Sequence, residues 1–111
     1  MYARISTVKV QPEQVDEAIR IYRESVVPAL EGQAGFAGAL LLTQPDSGQG
    51  ISITMWASPE DQVASETSGF YREQLAKFAG LFTVTPVREV YEVSVQAGRP
   101  WRSAPTSGAR E

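Results

Sequence analysis

An α+β domain with the element order βαββαβ is what this sequence predicts, and three observations carry that reading. Runs rich in β-branched residues stand at both ends, Tyr2 to Val10 and Pro86 to Val95. Two helical patterns begin at prolines, Pro12 and Pro59, and two apolar runs split by a turn-rich stretch lie between them. A chain of 111 residues suffices for one such domain with one core. Residues 1–96 read as the domain and residues 97–111, rich in Gly, Pro, Ser and Ala, as a flexible tail.

Taken in order, Tyr2 to Val10 (YARISTVKV) is the first strand, with Arg4 and Lys9 on opposite faces. It stops at Gln11-Pro12. Proline suits a first helical position, where its missing N–H costs nothing, and Glu13, Asp16 and Glu17 place negative charge near the positive helix start. Along that helix Val15, Ala18, Ile19, Tyr22, Val26 and Leu30 form one stripe at spacings of three and four. Pro28 lies inside the pattern and cannot donate to the preceding turn, so a kink or an end is expected between Val26 and Leu30.

Phe36 to Thr43 (FAGALLLT) is almost unbroken in its apolar character, which predicts a strand covered on both faces. The stretch Gln44 to Gly50 then reads as a long hairpin loop leading into a third strand, Ile51 to Trp56. Ser58-Pro59-Glu60-Asp61 supplies a capping hydroxyl, a proline at the first helical position and an acid three residues after the cap. The pattern falters between Ser65 and Gly69 and resumes at Phe70, so two helical pieces are expected, ending at Gly80. Val87, Glu89 and Tyr91 alternate against Arg88, Val90 and Glu92 in the closing strand. The order is that of the split-βαβ, ferredoxin-like arrangement: right-handed crossovers put both helices on one face of a four-stranded antiparallel sheet and leave the other face bare.

Composition narrows the chemistry. With 42% hydrophobic and 21% charged residues the chain matches a globular domain rather than a disordered or fibrous one. It contains no cysteine and no histidine, which removes disulfides, thiolate and imidazole ligands, and the usual nucleophiles and bases. Carboxylates, Tyr, Lys and Arg are left to carry any reaction. The net charge is −3, and because the tail holds three Arg and one Glu the first 96 residues are more acidic still. No nucleic-acid partner is expected. No apolar stretch has the length of a membrane span, and the chain opens directly on a strand, so a cytoplasmic location is expected.

Three segments resemble the antibiotic biosynthesis monooxygenase family of dimeric α+β barrels: the first strand with its helix; the Gly35-Phe36 entry to strand two with the Trp56-x-Ser58-x-Glu60 junction; and the closing Pro86-Val87-x-x-Val90-Tyr91-Glu92-Val93. The resemblance implies a homodimer whose bare sheets pair face to face. It also implies a cofactor-independent oxygenation of a small aromatic compound (a phenol, quinol or polyketide-like molecule), in which the substrate passes an electron to dioxygen. No cofactor and no metal are then expected. The haem-degrading branch of that family uses an Asn on the first strand, a Trp in the second helical region and a His ligand; here Ser6 and, roughly, Ser65 and Leu75 stand there, so haem degradation is not expected.

On this reading Trp56 and Tyr71 are the candidate catalytic residues, with Tyr22, Ser6, Phe70, Phe78 and Phe82 lining the substrate site. Each has a packing reading beside it: Trp56 can wedge the strand-to-helix junction, the tyrosines can satisfy core carbonyls, and the phenylalanine stripe is ordinary core. Arg4, on a covered strand, needs a partner, for which Glu89 or Glu92 is expected. Trp101 between Arg99 and Arg102 in the tail could fold over a pocket mouth. The alternative to an oxygenase is a non-enzymatic dimeric binding or stress-response module holding a hydrophobic ligand. An open pocket with polar groups aimed inward separates the first from the second.

Overall fold

Alternation along the first strand sets the two faces of the molecule. In a computed structural model of the chain, which describes residues 1–98, β1 (Tyr2–Lys9) runs through the middle of a four-stranded sheet. It pairs antiparallel with β3 (Gln49–Trp56) on one side and β4 (Val87–Glu92) on the other, and β2 (Phe36–Gln44) completes the order β2-β3-β1-β4. This is the expected ferredoxin-like topology. The registers Arg4↔Thr54, Ser6↔Ser52 and Val8↔Gly50 put those residues on one face, while Ile5↔Ile53 and Thr7↔Ile51 lie on the other.

The first helical region differs in detail from expectation. Pro12–Gln14 is a 3₁₀ turn, followed by α1 (Val15–Ile21), a wide π-type turn (Tyr22–Val26) and α2 (Val27–Glu31). The irregularity precedes Pro28, because a proline there offers no N–H to the turn before it and its ring crowds the carbonyl four residues back, which the wider turn accommodates. The second region breaks as the sequence predicts. It consists of α3 (Pro59–Thr67), capped by the Ser58 hydroxyl accepting from the Asp61 N–H at 3.1 Å, and α4 (Phe70–Ala76), separated by Gly69 in the left-handed region. The hairpin between β2 and β3 is shorter than the expected loop: Gln44 pairs with Gln49, leaving four residues to turn.

Helices and sheet meet around Val26, Leu30, Trp56, Phe70 and Phe78, all buried. Phe36 meets Trp56 edge-on with centroids 5.8 Å apart, and Phe78 stacks on Phe82 at 5.5 Å. Among the described residues the far face of the sheet is largely open, although Ala3 and Met55 at one end of it are buried. There Leu42, Val87 and Tyr91 are exposed, and Ile5, Leu40, Ile51 and Ile53 are half-buried. Among the described residues β2 is thus covered by helices on one face, as helices on one side of a sheet allow, and the second cover its sequence predicts has to come from elsewhere. The tail and Trp101 fall, apart from Ala97 and Gly98, outside the described residues.

Candidate functional site

The sheet has its polarity reversed. A face under helices is ordinarily apolar and a free face polar, yet here Arg4, Ser6, Ser52 and Thr54 point under the helices while isoleucines and leucines line the free face. Polar groups beneath helices require partners, and the helices supply them. The Tyr71 hydroxyl, from α4, lies 2.8 Å from Ser6 Oγ; the Tyr22 hydroxyl, from the π turn, lies 2.9 Å from Ser52 Oγ. Ser6 and Ser52 are direct cross-strand neighbours, so the four hydroxyls form one cluster on the cavity floor.

Arg4 sits beside that cluster and is 3% exposed, which makes it the most deeply buried charge of the site. Its Nη1 donates to Ser65 Oγ at 2.7 Å and lies 3.5 Å from Glu66, and its guanidinium carbon stands 4.2 Å from the Tyr71 ring centre. The partner is thus Glu66 of α3, not Glu89 or Glu92 of the last strand: Glu89 belongs to the far face, while Arg88 reaches Glu66 at 2.8 Å. Burial pushes the Arg4 guanidinium below its ordinary value, against the opposing pull of Glu66. Burial also pushes the Tyr22 phenol up, with the Ser52 hydrogen bond and the Arg4 charge acting the other way.

The helices do not close completely on this floor. A cavity of about 80 Å³ remains between them, partly open to solvent and walled mainly by Val8, Val15, Val26, Leu41, Phe78 and Phe82. Tyr22, Ser6, Phe70, Tyr71, Phe78 and Phe82 line it, so six of the seven residues singled out from sequence come together at one place. Trp56 does not join them. It is fully buried, its Nε1–H donates to Thr54 Oγ1 at 2.9 Å, and it offers no surface to a ligand. Direct contact between Trp56 and a substrate is thereby corrected: the indole supports Thr54 and the junction from beneath.

Sequence reasoning missed Ser52, Thr54 and Gln74 as wall residues, and weighed Arg4 chiefly as half of an ion pair. Gln74 was detectable from its spacing of three from Tyr71 and four from Phe70, which puts it on the same helix face. Among the described residues no group of three or more His, Cys, Asp or Glu stands close enough to hold a metal, and no helix is long and apolar enough to cross a membrane.

A profile of the antibiotic biosynthesis monooxygenase family matches residues 1–77, most of the described chain and the whole of the sheet except β4. The chain belongs to the antibiotic biosynthesis monooxygenase family. It is 35% identical over 108 residues to the uncharacterized protein Rv2557 of Mycobacterium tuberculosis, covering 94% of this chain and 45% of that protein. The chain thus spans about half the length of that relative.

Solved structures share the family's fold. SnoaB, a cofactor-independent oxygenase from Streptomyces nogalater, superposes with a TM-score of 0.67 at 12% identity, over 88% of this chain and 97% of that one. The haem-degrader MhuD of Mycobacterium tuberculosis superposes with 0.69 at 21% identity, over 88% and 100%. Proteins of this one fold therefore carry more than one chemistry.

Proposed function

We propose that this chain is a cofactor-independent monooxygenase that oxidises a small aromatic compound, a phenol, quinol or polyketide-like molecule, with dioxygen. The observation that supports it is the hydroxyl cluster of Tyr71, Ser6, Tyr22 and Ser52 beside the buried Arg4, inside an otherwise apolar cavity. The overall change is phenol plus dioxygen to quinone plus water. One oxygen atom enters the ring, the other leaves as water with two hydrogens from the substrate, and all four electrons come from the substrate. The chain's residues have three tasks in it. Arg4 favours the phenolate over the phenol, and it favours the superoxide formed when that phenolate gives one electron to dioxygen. The Tyr and Ser hydroxyls donate to the developing oxyanions, and the valine and phenylalanine walls keep water out.

The partner on the free sheet face is, in the same proposal, a second copy of this chain. Leu42 and Tyr91 are exposed there and Leu40, Ile51 and Ile53 half-buried, an apolar surface of the kind a partner covers. A second reading, a dimeric module that binds a hydrophobic ligand or serves in a stress response without turnover, is favoured by one observation: about 80 Å³ is well below the few hundred of an ordinary small-molecule site.

Oxygen uptake separates the two. The protein is mixed anaerobically with a panel of phenols and quinols, air is admitted, and consumption is followed against a protein-free control. Acceleration that falls roughly a hundredfold in Tyr71→Phe is the expected result. Rates equal to the control across the panel would leave the binding module as the better reading.

A further inference from the structure

Among the described residues that wall the cavity, Arg4 alone carries a formal charge. It is 3% exposed, and its Nη1 donates to Ser65 Oγ at 2.7 Å. Its Nε and Nη2 make no hydrogen bond among the described residues, although neither is fully buried. A guanidinium cannot shed its charge, and a buried charge short of partners is costly. The wall therefore offers positive charge to whatever enters.

The counter-charge stands behind that wall rather than on it. Glu66 of α3 does not line the cavity, and neither does Arg88, which pairs across from Ser6 on β4. Arg88 Nη1 donates to both Glu66 oxygens, at 2.8 and 2.9 Å, and Gln62 Nε2 donates to one of them. Arg4 Nη1 stays 3.5 Å from the same carboxylate. One carboxylate thus serves two guanidiniums and lies closer to the outer one, so the inner guanidinium is the one left short of negative charge. Charge acts through space and needs no contact with the occupant. The Arg4 charge already acts on the phenol of Tyr22, a wall residue contributed by the π turn.

We propose that Glu66 and Arg88 are a positioning pair that sets the charge of the ligand: Arg88 draws Glu66 off Arg4, and the guanidinium left under-neutralised on the wall selects a ligand with one negative charge over its neutral isostere. The inference rests on the cavity being a ligand site, as the proposed function requires, and does not depend on turnover. The two residues act through Arg4 with opposite signs. Without the Glu66 charge Arg4 is uncompensated and the preference for an anion grows. Without the Arg88 charge Glu66 is free to close on Arg4, and the preference shrinks. The other titratable groups near Arg4 are the phenols of Tyr71, from α4, and Tyr22.

The test compares 4-nitrophenol, as its phenolate, with 4-nitroaniline, a neutral near-isostere. The pH is set above the ionisation of the nitrophenol and below the ordinary tyrosine range, and the salt is kept low so that charge is not screened. Affinities for wild type, Glu66→Gln and Arg88→Gln are measured by titration calorimetry. The ratio of phenolate to aniline affinity should rise about threefold or more in Glu66→Gln and fall about threefold or more in Arg88→Gln, with 4-nitroaniline binding held in both. A purely structural role for the two residues would weaken both ligands alike and would not move the ratio in opposite directions. A ratio unchanged in either variant, a shift of the same sign in both, or failure of both compounds to bind wild type would overturn the inference. Opposed shifts without oxygen uptake by wild type would remove the oxygenase reading and leave this one standing. Oxygen uptake with unmoved ratios would do the reverse.

Discussion

Tyr22 shows how much one hydroxyl does here. Its phenol bonds Ser52 at 2.9 Å, and burial holds its titration above the ordinary value of 10.0. Below pH 10 both folded and unfolded phenols are protonated and nothing is lost. As pH rises past 10 the unfolded phenol releases its proton first, so the unfolded state is favoured and stability declines until the folded phenol also ionises. Tyr22→Phe should therefore be less stable than wild type at pH 7 by ~1 kcal/mol, from the lost hydrogen bond, and the gap should narrow above pH 10. Urea denaturation at pH 7 and at pH 10.5 checks this; a gap that widens with pH would contradict it. Tyr22, Tyr71 and Phe70 were legible as inward-facing because helical spacing marks a face, whereas Phe78 and Phe82 lie beyond the end of α4 and reach the cavity from the turn and bridge that follow it. Trp56 was misjudged as a possible contact because a terminal position on a strand says nothing about what lies over it.

Among the elements, the β2–β3 hairpin is where local chemistry and the site meet. Gly48 closes its turn with a φ of 82°, its carbonyl accepts from the Val10 N–H at 2.9 Å, and it lines the cavity. A β-carbon at this position would run into the Val10 carbonyl, and the left-handed backbone is itself unfavourable to any other residue. Gly48→Ala should cost ~2 kcal/mol or more in chemical denaturation. A loss below a few tenths would show that the turn relaxes freely. Helix starts at Pro12 and Ser58-Pro59, the break near Gly69 and four strands were all readable locally, because caps, prolines and period are properties of neighbouring residues. The π turn before Pro28 was not, since widening one turn or ending the helix relieves the same clash and tertiary packing of Val26 and Leu30 decides between them.

For the molecule as a whole, the reversed polarity of the sheet makes the prediction. A single charge at the centre of the free face should be tolerated by the isolated fold and be ruinous to a face-to-face pair. If the proposed face-to-face pair forms, wild type should sediment as a dimer and Ile53→Glu, opposite Ile5 and Leu40, as a monomer. A wild type that is monomeric at micromolar concentration would remove the second copy from the proposal. The circular dichroism spectrum of the variant serves as the control for folding.

The sequence by itself determined the order of elements, the antiparallel ferredoxin-like arrangement and the absence of histidine and cysteine chemistry, because periodicity, caps and composition act over a few residues at a time. Only the tertiary structure decided which face of the sheet the helices cover. Ile5 alternates with Ser6, and Ile53 with Ser52 and Thr54, so the period names two faces without saying which is inside. The chain crossovers bring α4 over Ser6 and the π turn over Ser52, and that choice turned an apparently ordinary strand pair into the floor of a cavity.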